Sequence, residues 1–179
     1  MKWSESTVTK LLITDVESLD PVTVYIENYE QGKGKLTIEV YGESWSSYWG
    51  AMGGGSLEQF VLSCDNHYLA KNLASLSALY EDDYESFIDA CRKEVLRKRK
   101  DKECDKKKAR ELWNGIDRIS PEKEWFHDSY NHEFLHSVMG CEWWHSIPTK
   151  SSSTAVYLYR ILDALKECLK EREGHKQAA

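Results

Sequence analysis

Residues 22–41 alternate between apolar and polar on both sides of one glycine-flanked turn, and no other feature constrains the fold as strongly. Val22, Val24 and Ile26 share one face, with Thr23, Tyr25 and Glu27 on the other; Leu36, Ile38 and Val40 repeat the pattern against Thr37, Glu39 and Tyr41. Successive side chains of a strand point to opposite faces, so this pattern predicts two half-buried strands. Gln31-Gly-Lys-Gly34 joins them, and glycine takes the positive φ that such turns require. The β-branched run over 7–16 suits a third strand, and Asp20-Pro21 separates it from the hairpin. A sheet with one apolar face must be covered by other elements.

The cover is predicted from the helical patterns downstream. Ser56 and Gln59 have the spacing of a capping box, and the apolar positions from Leu57 predict a helix running to about Leu79. Tyr84, Phe87, Ile88, Cys91 and Val95 predict a second helix after the acidic break at Glu81-Asp-Asp83. Beyond Leu96 the apolar stripe stops, and the basic run is either an exposed helical extension or a frayed loop. Ser120-Pro121 reads as another helix start, a short helix is expected over 130–139, and Glu142–Pro148 reads as extended. Lys150–Thr154 reads as a linker before a last helix over about 154–172, with the tail from Gly174 expected to fray.

The expected architecture is therefore α+β. A small antiparallel sheet of about three strands (7–41) is covered by three or four helices in a mainly helical 56–172, all in a single domain, 1–179. The length of 179 residues and the hydrophobic share of 41% allow a real core and argue against a disordered chain. No apolar run approaches the ~20 residues of a membrane helix, and Met1-Lys-Trp-Ser-Glu-Ser lacks the apolar core of a signal peptide. The five cysteines include no C-x-x-C pair and are odd in number, which suits reduced thiols and a cytoplasmic setting.

Charge is unevenly spread. The net charge is −6, yet residues 92–110 hold 11 Lys/Arg against 4 Asp/Glu. Within this run Arg97, Lys98, Arg99, Lys100, Lys106, Lys107 and Lys108 are candidates for neutralising nucleic-acid phosphates; a solvated helix face is the plain alternative.

Three further constellations carry chemistry. His132-Glu-Phe-Leu-His136 fits H-E-x-x-H, which on a helix puts His132 and His136 on one face for zinc, with Glu133 as general base. Cys141, Glu142 and His145 are the candidate third ligands, and the longer zincin pattern is not continued. The alternative is a polar helix face. Gly53-Gly-Gly55-Ser56 precedes a helix and could offer N–H groups to a phosphate, but it matches neither nucleotide-binding glycine pattern, so a connector is the simpler reading. Trp45, Tyr48 and Trp49, with Trp143 and Trp144, are either core or the anchors of a protein interface. Strand alternation puts Trp45 and Trp49 on one side and Tyr48 on the other, so at least one aromatic should stay exposed.

Asp20-Pro-Val-Thr-Val-Tyr25, the stretch Tyr41–Gly54, Cys64-Asp-Asn-His-Tyr-Leu-Ala-Lys-Asn-Leu73, Glu142-Trp-Trp144 and Tyr157-Leu-Tyr-Arg-Ile161 resemble a family of small accessory proteins of tailed bacteriophages and prophages. The resemblance covers most of the first 75 residues and about the last 35, and leaves 80–140 unplaced. It implies a phage gene acting in the host bacterial cytoplasm and transfers no functional residues.

Three readings follow. The first is a non-enzymatic phage accessory protein for host takeover or counter-defence. It would bind and inhibit a host protein or nucleoprotein complex through the aromatic set, with no cofactor and no membrane partner. The second is a zinc-dependent hydrolase using the H-E-x-x-H helix. The third is a nucleic-acid-binding protein using the basic helix of 92–110.

Overall fold

The computed structural model describes residues 1–177. The chain forms two compact units: one from Met1–Tyr80 with the segment from Ser151 onward, the other from Glu81–Lys150.

The first unit holds the sheet. Strands β1 (Thr9–Ile13), β2 (Val22–Asn28), β3 (Gly34–Val40) and β4 (Glu43–Trp49) are antiparallel neighbours in the order β1-β2-β3-β4. The sheet thus has four strands where the alternation predicts about three. The aromatic stretch supplies the extra one: Tyr41 (φ 48°) and Gly42 (φ 91°) both take positive φ, making a two-residue turn that folds β4 back onto β3. Glycine is at ease there, but a tyrosine in that region is uncommon, so the turn is only half signalled by its residues. β1 is shorter than the β-branched run over 7–16.

The predicted alternation holds in the hairpin. Val22, Val24, Ile26, Leu36, Ile38 and Val40 are buried, and their alternate neighbours are half-exposed. Gly34 sits where β3 begins, opposite Asn28. A Cβ at Gly34 would lie 2.9 Å from the Glu27 carbonyl oxygen and 3.1 Å from Leu57 Cβ. The first of these neighbours is ladder backbone and cannot step aside. Gly34→Ala is therefore expected to destabilise the protein by about 1–3 kcal/mol, as overpacking does. A lowered denaturant midpoint with unchanged slope is the expected reading, and an unchanged midpoint would refute it.

The single helix expected over 57–79 is three: α1 (Leu57–Ser63), α2 (Asn66–Leu73) and α3 (Leu76–Leu79). Cys64 and Ala74 are extended, and the side chains of Asp65 and Ser75 accept from the N–H groups of Tyr68 and Ala78 to start new helices. Each cap satisfies an otherwise unpaired donor, which offsets the lost helical bonds at each break. The capping box at Ser56 and Gln59 is present. The apolar positions still reach the core, where Leu57, Val61, Leu69 and Leu79 meet Leu158, Ile161, Leu162 and Leu165 of α8 (Ser153–Gln177). This last helix does not stop at Gly174. One glycine costs about 1 kcal/mol, too little to end a helix anchored over many turns. Of the tail expected to fray, Ala178 and Ala179 lie outside the described residues. The linker expected at 150–154 is instead β6 (Thr149–Ser151), paired with β5 (Tyr80–Asp82), and then the start of α8.

The second unit is helical: α4 (Tyr84–Lys100), α5 (Lys106–Ile116), α6 (Lys123–His127) and α7 (Ser129–Met139), followed by a 3₁₀ turn at Trp143–Ser146. That makes eight α-helices among the described residues, against three or four expected, because capping residues split the long patterns. Ser120-Pro121 is not a helix start; α6 begins at Lys123, with Glu122 as a cap that makes no side-chain bond. Glu142–Pro148 is not extended either, since the turn carries Trp143 inward against Phe87. Phe87, Cys91, Val95, Leu112, Ile116, Phe126, Leu135 and Trp143 make the core of this unit. Burial pushes the Cys91 thiol up to about 12, so it is inert packing and not a nucleophile.

Candidate functional site

β4 sorts its aromatics by pleat. Trp49 is 6% exposed and packs on Phe60, with ring centroids 5.6 Å apart. Trp45, on the same side, is partly buried against the core. Tyr48 points the other way, is 54% exposed and lies 6.0 Å from Tyr29. In the second unit Trp143 is core, 6.0 Å from Phe87, whereas Trp144 beside it is 48% exposed. Of the five aromatics named as partner anchors, Trp49 and Trp143 hold cores together. Tyr48 and Trp144 reach solvent, each on a different unit.

α7 does bring His132 and His136 onto one exposed face, one turn apart, with Glu133 also exposed. His132 stands edge-on to Trp143 at 5.2 Å. Cys141, Glu142 and His145 follow Gly140 and are exposed. Among the described residues no group of three or more His, Cys, Asp or Glu side chains is placed to hold a metal. A small cavity of about 230 Å³ opens beside His132, between His127, Tyr84, Phe126, Trp143 and Trp144. Tyr84 donates to Asp82 at its rim, and burial together with that carboxylate pushes the phenol up to about 12, so it stays protonated.

The glycine stretch 53–55 is a turn, and donors at the helix start beyond it are already engaged. The Leu57 N–H is bound by Asn28 Oδ1 at 2.7 Å, and the Gln59 N–H by Ser56 Oγ at 3.4 Å. Glu58 adds a carboxylate to the same helical turn. A phosphate at this helix start would find the Ser56, Leu57 and Gln59 N–H groups occupied.

The basic run folds into a helical hairpin. α4 carries the charge to Lys100, the chain turns through Asp101–Asp105 with Lys102 at φ 63°, and Asp105 caps α5 by accepting from the Lys108 N–H at 2.7 Å. Arg97, a sequence candidate for phosphate binding, is instead held inside this turn. It donates to Glu94 at 2.8 Å, Asp101 at 3.0 Å and Glu103 at 2.6 Å. The Arg97 hydrogen bonds in turn hold the Glu94 and Glu103 carboxyls below their ordinary range. Lys98 donates to the Ser137 carbonyl at 3.1 Å, and Lys108 lies 4.0 Å from Glu111. Arg99, Lys100, Lys106, Lys107 and Arg110 make no ion pair among the described residues.

Three of these unpaired cations converge. Arg99 from α4 and Lys106 and Arg110 from α5 flank a groove of about 540 Å³ whose wall includes Val95, Leu96, Ala109 and Trp113. Leu96 is 58% exposed there, and Asn114 and Asp117 complete the lining. Neither charge density nor periodicity singles out Leu96, Arg110 and Trp113 as site residues. The signal that could find them is Asp105: read as a helix cap, it turns the basic run into two helices facing each other across Leu96 and Trp113.

A model described as a phage family matches residues 1–171. The chain belongs to this phage protein family. No curated protein matches it, and no solved structure does. The match spans both units of the phage protein, including the whole α4–α5 hairpin. No helix among its described residues is long and apolar enough to cross a membrane. The second unit of the phage protein is not basic as a whole, with 14 Lys/Arg against 16 Asp/Glu over 81–150. Its positive face arises by segregation along one hairpin, and a charge-lined concave surface concentrates potential more than scattered charges do.

Proposed function

We propose that this phage protein is a non-enzymatic accessory protein that binds a host nucleoprotein complex and blocks it, gripping the nucleic acid of that complex through the α4–α5 groove. The observation behind the proposal is the convergence of Arg99, Lys106 and Arg110, all without ion-pair partners among the described residues, around a groove walled by Leu96 and Trp113. Unpaired cations keep their full charge for a phosphate backbone, whereas Arg97 has committed its donors to neighbouring carboxylates. A phage gene product working in its host suits host takeover or counter-defence, and no step of that role needs chemistry by the protein itself.

The test is binding of labelled DNA and RNA oligonucleotides to the full chain at increasing salt. A footprint of about four phosphates predicts a loss of roughly 100-fold between about 50 and 200 mM salt. No binding at the lower salt to single-stranded or duplex oligonucleotides of either kind would end this reading.

A further inference from the structure

We propose that β4 is a dimerisation edge, pairing antiparallel with β4 of a second copy about a two-fold axis at Ser46. This proposal is independent of the groove. β4 is the last strand of its sheet, so one side of its backbone faces no other strand. The register tells which groups those are. Val40 and Glu43 flank a two-residue turn and form a hydrogen-bonded pair, so Ile38–Trp45, Leu36–Ser47 and Gly34–Trp49 are also hydrogen-bonded pairs. Ser44, Ser46 and Tyr48 then direct their N–H and C=O groups away from β3. The Thr37 and Ser46 hydroxyls, 3.0 Å apart, fit the close side-chain approach of a non-hydrogen-bonded pair. No turn, loop or cap hydrogen bond reaches these edge groups among the described residues.

Edges of this kind are normally blunted by lysine, proline or a bulge. β1, at the other side of the sheet, carries the exposed Lys10. β4 has none of these: its register is continuous over seven residues, and its one charge, Glu43, sits at the turn end. The strand also suits its own copy. Antiparallel pairing centred on Ser46 sets Ser44 opposite Tyr48 and Trp45 opposite Ser47, so each of these aromatics meets a serine. It sets Glu43 opposite Trp49, so no like charges meet. The three outward residues would exchange both of their hydrogen bonds with the partner strand, and the two sheets would become one. Such an isologous contact is self-closing and ends at a dimer.

The test is the mass of the full chain across a concentration series, by sedimentation or light scattering. The wild type is expected to approach twice the 20.8 kDa chain mass as concentration rises. Ser46→Pro removes an outward N–H without breaking a backbone bond to β3, losing there only the hydroxyl contact with Thr37, and should leave monomer at concentrations where the wild type is dimeric. Tyr48→Lys, at a position already exposed, should do the same by placing a charge on the edge, and it stands alone if Ser46→Pro fails to fold. Leu12→Lys on β1 should leave the dimer intact. A wild type that stays monomeric throughout, or a dimer that both β4 variants leave unchanged, would overturn the proposal. So would loss of the dimer in Leu12→Lys.

Discussion

The combined substitution Arg99→Glu, Lys106→Glu and Arg110→Glu is expected to abolish nucleic-acid binding while leaving the thermal midpoint nearly unchanged. All three side chains border the α4–α5 groove and make no ion pair among the described residues, so reversing them breaks no salt bridge within the fold. Exposed substitutions away from such bridges fall within about 0.5 kcal/mol of neutral. Binding has no such tolerance. Removing one cation from a phosphate lowers the salt slope by about one, so the triple variant lowers it by about three, and the new carboxylates add repulsion. Arg97→Glu is the instructive contrast. It sets a fourth carboxylate among Glu94, Asp101 and Glu103, so its expected effect is a loosened helical hairpin and a lower midpoint. Both variants remove positive charge from the same run, and circular dichroism melting with oligonucleotide titration separates the two roles. Full binding by the triple variant would remove the groove from consideration, whatever Arg97→Glu does.

Phe87→Ala should have the largest effect on stability, a loss of about 3–5 kcal/mol. Phe87 is fully buried at the centre of the second unit, with Phe126 at 5.8 Å and Trp143 at 6.0 Å between ring centroids. Truncation leaves a cavity that its aromatic walls cannot readily fill by shifting, because Phe126 is itself stacked on Tyr84 at 4.3 Å. A loss of this size is a large part of the total stability of an ordinary domain, about 5–15 kcal/mol. Denaturant unfolding followed by tryptophan fluorescence should show it, since Trp143 reports from the same cluster. A change below about 1 kcal/mol would mean that this core relaxes far more easily than a packed interior does.

Short-range patterns in the sequence determined a good part of this protein. The hairpin of β2 and β3 follows from strict alternation, the start of α1 from Ser56 and Gln59, and the stripes of α4 and α8 from helical spacing. Each of these signals lies within a few residues of the element it specifies, so no distant partner is needed to read it. The tertiary structure decided the rest, for two physical reasons. The first is that local caps and turns compete with long patterns. Asp65, Ser75 and Asp105 each satisfy backbone donors well enough to divide what periodicity alone would join, and Tyr41-Gly42 adds a strand that its neighbours do not announce. The second is that burial and charge availability depend on what lies opposite a side chain, and composition does not reveal it. Trp143 and Trp144 are adjacent and alike, yet one meets Phe87 and the other meets water. Arg97 and Arg99 share one basic run, yet three carboxylates hold the first, and only the second is left to line the groove.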